Sequence, residues 1–220
     1  WGAWGGALGG FGVGGGTTGV GGGVDGRGAG VGEGKADVLG MMETYYKPLA
    51  RAFADAPVPV VTAVNGVAAG AGASLALAGD IIVAAKSANF VFTFANLGLT
   101  PDVGGTWLVA RAAGRVRALE MALLAGKMSA EKAEGCNLVT EVVDDEALMA
   151  RASEIAVKLA AMPTRSLALI KQQVRAALEQ SFEASLQVEA ESQQAATATE
   201  DFKEGVKAFA ERREPEFKGR

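Results

Sequence analysis

The segment Val60-Val-Thr-Ala-Val-Asn-Gly-Val-Ala-Ala-Gly-Ala-Gly-Ala-Ser74 limits the choice of fold more than any other part of the chain. Residues 57–64 are short, apolar and β-branched, which predicts a buried strand whose prolines sit near its start. Asn65-Gly66 signals a turn. Gly70-Ala-Gly-Ala-Ser-Leu-Ala-Leu-Ala then predicts a small-residue helix ending near Gly79. Such a helix can pack tightly against a sheet. Its start also leaves backbone N–H groups without intrahelical acceptors.

The flanking sequence repeats the alternation. Apolar groups at helical spacing (Val38, Met41, Met42, Tyr45, Leu49, Phe53) predict an amphipathic helix over 37–54. Strands are expected at 80–85, 89–92 and 138–143, helices at 104–113 and 116–125, and a short helix capped by Ser129. Strand–helix alternation of this kind indicates an α/β core over residues 35–143. From 144 to 220 the pattern is helical, at 145–161, 164–178, 181–197 and 200–212, with Pro163 and Thr199 at the breaks. Leu167, Ile170, Val174, Leu178, Phe182 and Leu186 are many apolar side chains for such narrow helices. Packing on the core and a subunit interface are expected to share them.

Residues 1–34 have a different texture. They hold 18 of the 31 glycines, with Trp1, Trp4 and Phe11 scattered among them and no period of strand or helix. They read as a flexible glycine-rich segment. A sharper reading is that they are foreign to the native protein, as when a GC-rich gene is translated out of frame. The three frames of the coding DNA separate the two, since a clean open frame giving only this sequence removes the second.

Composition narrows the chemistry. Histidine is absent and Cys136 is the only cysteine, which excludes the Ser-His-Asp and Cys-His arrangements, most zinc sites and any intrachain disulfide. A net charge of −4 gives no general field for nucleic acid or an anionic membrane. No membrane-spanning run and no basic secretory leader are seen, so the cytoplasm is the expected compartment. Catalysis must therefore use carboxylates, hydroxyls, Lys or Arg, and backbone N–H groups.

Two features carry such chemistry. The helix start at Gly70-Ala71-Gly72 can form an oxyanion hole from backbone N–H groups, although close helix–sheet packing alone also asks for Gly and Ala. Asp102, in Leu99-Thr-Pro-Asp-Val-Gly-Gly-Thr, lies in a Pro/Gly-bounded loop before a helix. It is either a cap bonding the N–H of Gly104 or Gly105, or a proton shuttle in an apolar pocket.

These features in this order resemble the crotonase (enoyl-CoA hydratase/isomerase) superfamily. The resemblance extends through Asp80-Ile-Ile-Val-Ala-Ala, Pro101-Asp-Val-Gly-Gly-Thr, Ala133-Glu-Gly-Cys-Asn-Leu-Val and Phe202-Lys-Glu-Gly-Val-Lys-Ala-Phe. It implies a ββα spiral with a C-terminal helical oligomerisation module, the N-terminal part of the core being incomplete, and assembly as a homotrimer or dimer of trimers. By the same resemblance the substrate is an acyl-CoA, with no cofactor beyond the CoA it carries. One oxyanion donor falls on Ala71, between Gly70 and Gly72, and the other on Val24 in Gly23-Val-Asp. The two glutamates of hydratases fall on Ser74 and Phe94. Neither position is acidic, so the resemblance implies an isomerase with Asp102 as its acid, which moves a double bond or rearranges a ring epoxide to an oxepin. Phe92, Phe94 and Trp107 are candidates for an apolar wall around the acyl group, though each is equally compatible with plain core. Phe209 and Arg212 match positions that approach the adenine and phosphate end of CoA, and an ordinary charged helix face explains them as well. The alternatives are a hydratase of unusual layout and a non-catalytic CoA-binding or oligomeric protein on the same scaffold.

Overall fold

The computed structural model describes residues 37–220. Val24 and the glycine-rich residues 1–34 lie outside that range. The apolar spacing at its start becomes one helical run of α1 (Val38–Met41), a π-helical turn (Met42–Tyr46) and α2 (Lys47–Ala54). Asp37 caps it by accepting a bond from the Gly40 N–H at 2.8 Å.

The chain then lays down β1 (Val61–Val64), β2 (Val67–Ala69) and α3 (Ala71–Ala76). A second passage gives β3 (Ile81–Ala85), β4 (Asn89–Val91), a 3₁₀ turn (Thr93–Leu97) and α4 (Gly105–Leu124). A third gives β5 (Met128–Ser129), α5 (Ala130–Glu134) and β6 (Glu141–Val143). Each passage contributes one strand to each of two sheets, which is the expected ββα spiral. The first sheet has the order β1-β3-β6 and is parallel throughout, with Val61 opposite Ile81 and Val83 opposite Glu141. In the second, β2 and β4 run parallel while β4 and β5 run antiparallel. Ala68, Ala73, Val83, Ala84, Ala85 and Phe90 are fully buried between these layers. Small side chains here let α3 approach the strands closely, in keeping with the density of protein interiors.

Local differences from the sequence reading have physical causes. The strand expected from Pro57 pairs only from Val61, because proline lacks an N–H for the ladder. Val60 bonds instead to Asp80, its N–H donating to the carboxylate at 2.7 Å and its carbonyl accepting from the Asp80 N–H at 2.8 Å. Strand β2 was not anticipated, being too short for alternation to register. The expected strand at 138–143 pairs only from Glu141, and Leu138 and Val139 are buried without ladder bonds. Gly114, at φ 80° and ψ 166°, separates the two helices expected within α4.

A 3₁₀ turn (Asp145–Ala147) leads to α6 (Leu148–Ala160), α7 (Thr164–Ala177), α8 (Phe182–Thr197) and α9 (Glu200–Glu211). The Ser181 and Thr199 side chains cap the last two, accepting from Ala184 and Phe202 N–H. Helix α6 packs on β1 and β3, and α7 on α8. Lys171 ties α7 to the core, with its Nζ 2.8 Å from Asp80 and 3.0 Å from the Phe53 carbonyl. Ile170, Val174, Leu178 and Phe182 remain exposed. Packing within the chain therefore takes up few of the apolar side chains singled out on α7 and α8.

Candidate active site

The corner between β2 and α3 is made by Gly70. Its φ of 55° and ψ of −130° lie where a side chain is strained, and glycine reaches them freely. Its N–H donates to the Val91 carbonyl at 2.9 Å, and its own carbonyl accepts from Ala73 and Ser74 N–H at 3.0 and 3.2 Å. The N–H groups of Ala71 and Gly72 meet no acceptor among the described residues. A Cβ built on Gly70 would lie 3.4 Å from Thr93 Oγ1 and 3.8 Å from Phe94 Cζ, so the Phe94 ring borders this corner. Beside Gly72, by contrast, there is open space. Phe94 is buried and meets Phe92 edge-on, with centroids 6.0 Å apart.

Asp102 opens a tight turn into α4. The Gly105 N–H donates to the Asp102 carbonyl at 2.9 Å, and the two residues between have positive φ, 50° at Val103 and 77° at Gly104. Both central residues being left-handed is the pattern of a primed type I turn. Gly104 is the N-cap of α4, and no side chain caps that helix. The capping alternative for Asp102 is thereby removed. Its Oδ1 is instead buried without a hydrogen-bond partner among the described residues. Burial pushes the Asp102 carboxyl above its ordinary value, and a bond to its own backbone amide opposes this with smaller effect.

Ser74 and Gly105 join the two ends. Ser74 is fully buried on α3, and its Oγ has no hydrogen-bond partner among the described residues. A Cβ on Gly105 would fall 2.4 Å from Ser74 Oγ and 2.9 Å from Phe92 Cζ. The start of α4 is thus seated on α3 and Phe92, which fixes the Asp102 turn next to the helix that offers free N–H groups. A backbone anion site beside an unpaired carboxyl in apolar surroundings can move a proton on a carbon adjacent to a carbonyl.

The remaining candidates stand in the first turn of α4 and at the end of α9. Trp107 is half-buried in the first turn of α4, with the Arg111 guanidinium 4.1 Å from its ring centroid. Phe209 is 87% exposed, and Arg212 is the left-handed residue that ends α9. Among the described residues no hydrogen bond or ion pair connects either with the corner. Sequence reasoning gave no role to Val103, since a β-branched residue carries no signal for positive φ. It noted Ser74 only as the site of a missing acid, and the seat on Gly105 needed the tertiary contact.

The family description "Enoyl-CoA hydratase/isomerase" matches residues 23–220. The chain is 50% identical over 188 residues to the 1,2-epoxyphenylacetyl-CoA isomerase of Escherichia coli strain K12, covering 85% of this chain and 72% of that protein. It is 43% identical over 192 residues to a probable enoyl-CoA hydratase of Rhodobacter capsulatus, covering 86% and 75%. An enoyl-CoA hydratase subunit I from Geobacillus kaustophilus superposes with a TM-score of 0.78 at 37% identity, over 84% of this chain and 72% of that one. The two-sheet spiral, the helices that follow it and these likenesses over most of the chain agree: it belongs to the enoyl-CoA hydratase/isomerase family and has the crotonase fold.

Proposed function

We propose that this chain is an acyl-CoA isomerase in which Asp102 carries the proton. Its substrate is 2-(1,2-epoxy-1,2-dihydrophenyl)acetyl-CoA, rearranged to the oxepin, or a Δ3-enoyl-CoA converted to the Δ2 isomer. The observation that carries this reading is the buried, unpartnered Oδ1 of Asp102 on a turn seated against α3. In the double-bond shift, the Asp102 carboxylate takes a proton from C2. The C–H pair moves into the thioester to form an enolate, whose oxygen is held by the Ala71 N–H. The protonated Asp102 then returns the proton to C4 as the C2–C3 double bond forms, so that atoms and charge balance. The carboxyl's upward shift suits it to both halves of this cycle.

Phe94 and Trp107 would wall the acyl group, with Gly70 and Gly72 letting the thioester approach the backbone. Val24 would supply the second donor, a reading supported by a family match that begins at Gly23. Phe209 and Arg212 would meet the nucleotide end of CoA. The exposed apolar residues of α7 and α8 suit a subunit interface, and the assembly would be a homotrimer or dimer of trimers, acting in the cytoplasm with no cofactor beyond the CoA of its substrate. Water addition finds no support at Ser74 or Phe94, since a hydroxyl and a phenyl ring cannot replace two carboxylates.

The test is proton exchange and double-bond migration on a panel of enoyl-CoAs and the ring epoxide, for wild type and Asp102→Asn. The variant should bind the CoA ester unchanged by calorimetry and lose at least about a hundredfold in turnover. Undiminished turnover in the variant sinks the role of Asp102. Ester binding by the wild type without any exchange assigns the chain to a non-catalytic binding class.

A further inference from the structure

Among the described residues, four that are not glycine have positive φ, namely Val103, Ala125, Asn137 and Arg212. Val103 is the only β-branched one, and in such a residue the left-handed region is a genuine outlier. It is also buried, 8% exposed, and follows Asp102 directly. Strained backbone of this kind persists only where the surroundings over-determine it, and it gathers at functional sites. Here the surroundings are visible. Pro101 restrains the entry to the turn, the Gly105 N–H closes it on the Asp102 carbonyl at 2.9 Å, and Gly105 is locked against Ser74 and Phe92. A glycine at position 103 would meet the same backbone demand without strain, so the β-branched side chain is present despite its cost.

We propose that Val103 is a positioning residue for Asp102: its left-handed, buried seat holds the carboxyl in the apolar corner and keeps water from it. The inference rests on the reading of Asp102 as the proton carrier. Among the described residues nothing else around the carboxyl competes for that task. The elements packed there, α3, the turn Thr93–Leu97 and the first turn of α4, carry no ionisable side chain. The upward shift of the carboxyl comes from burial, with no charged neighbour contributing. Cover by apolar neighbours therefore raises the proton affinity, and of the two apolar residues flanking Asp102, Pro101 and Val103, Val103 is the buried one.

The experiment measures kcat and KM against pH for Val103→Gly and Val103→Ile, with Asp102→Asn in parallel. Val103→Gly relaxes the turn and admits water. Its kcat should fall by about tenfold to a hundredfold, the scale of a small misplacement of a reacting group. KM should stay within about twofold, the pattern of an interaction used chiefly in the transition state. The acid limb of its kcat profile should move to lower pH, because a hydrated carboxyl ionises more readily. Val103→Ile keeps the β-branched cover and should keep the limb at the wild-type pH. Should Val103→Gly be recovered unfolded, Val103→Ala gives the same two readouts with smaller amplitude. A folded Val103→Gly or Val103→Ala with wild-type kcat and an unmoved limb overturns the proposal. So does a loss of activity through KM alone, which marks Val103 as packing only. Full turnover in Asp102→Asn refutes the reading of Asp102, whereas a dead Asp102→Asn beside an unperturbed Val103→Gly refutes only this inference.

Discussion

The seat of α4 on α3 can be tested with Gly105→Ala, Ser74→Ala and their combination. The new Cβ of Gly105→Ala would lie 2.4 Å from Ser74 Oγ, 2.9 Å from Phe92 Cζ and 3.3 Å from Ser74 Cβ, where ordinary contacts begin at 3.4 Å. The first overlap is about 1 Å, and no solvent gap exists to absorb it because Ser74 and Phe92 are buried. Overpacking of this order costs about 1–3 kcal/mol, against about 0.5–1 kcal/mol gained by removing a helical glycine. A net loss of about 1–2 kcal/mol is expected, or about 2–8 °C in Tm for a chain of this size. Ser74→Ala acts in the opposite direction. It deletes a buried hydroxyl with no partner, a group that costs about 1–3 kcal/mol when left unsatisfied, so it should be neutral or stabilising. In the double variant the 2.4 Å contact is gone and the other two remain. It should therefore be more stable than the sum of the singles by at least about 0.5 kcal/mol. Turnover should follow the geometry: a shift of about 1 Å in the Asp102 turn lowers kcat on the order of a hundredfold, partly restored in the double variant. Urea unfolding and steady-state kinetics on the four proteins suffice. Additive stabilities, or a Gly105→Ala protein as stable and active as wild type, would show that the two helices do not bear on each other as argued.

Further outcomes follow from Asp102 and from the end of the chain. The folded-state carboxyl of Asp102 lies above its unfolded value, so its contribution to stability is present below the unfolded value and is lost as pH rises through the folded one. Asp102→Asn should thus be more stable than wild type at neutral pH, with the advantage vanishing in acid; equal Tm values at both pH values would contradict the burial argument. The same direction places the acid limb of wild-type kcat above the usual aspartate range, and a limb at the ordinary value would mean a hydrated carboxyl. Asp201, 3% exposed, accepts the N–H groups of Lys218 and Gly219 at 2.6 and 2.8 Å and so pins the last residues to α9. Asp201→Ala should cost about 2–4 kcal/mol in urea unfolding and open residues 213–220 to proteolysis, since charged hydrogen bonds are worth about 1.5–3 kcal/mol each.

The architecture was readable where side-chain chemistry acts locally. The end of the β-branched run at Val61–Val64, the small-residue helix after Gly70 and the hydroxyl caps at Ser129 and Thr199 each express the preference of a short segment and formed within the stretches expected, while the Ser181 cap had not been singled out. Elements whose cause lies at a distance were less legible. Strand β2 exists because Val67–Ala69 finds β4, and β6 is shortened because only Glu141–Val143 reaches β3.

The same division runs through the site. By itself the sequence determined that any chemistry here has no histidine or metal-thiolate route, that free N–H groups stand at the start of α3, and that a lone aspartate precedes α4. It left Asp102 as either cap or acid, because both roles ask for a carboxylate ahead of a helix. Only the tertiary structure removed the first of these roles. With Gly105 seated on Ser74 and Phe92, Val103 and Gly104 take left-handed conformations, the cap falls to Gly104, and Oδ1 of Asp102 is buried without a hydrogen-bond partner among the described residues. That outcome depends on how closely two helices approach, a distance set by the packing of the whole spiral and written in no single segment of it.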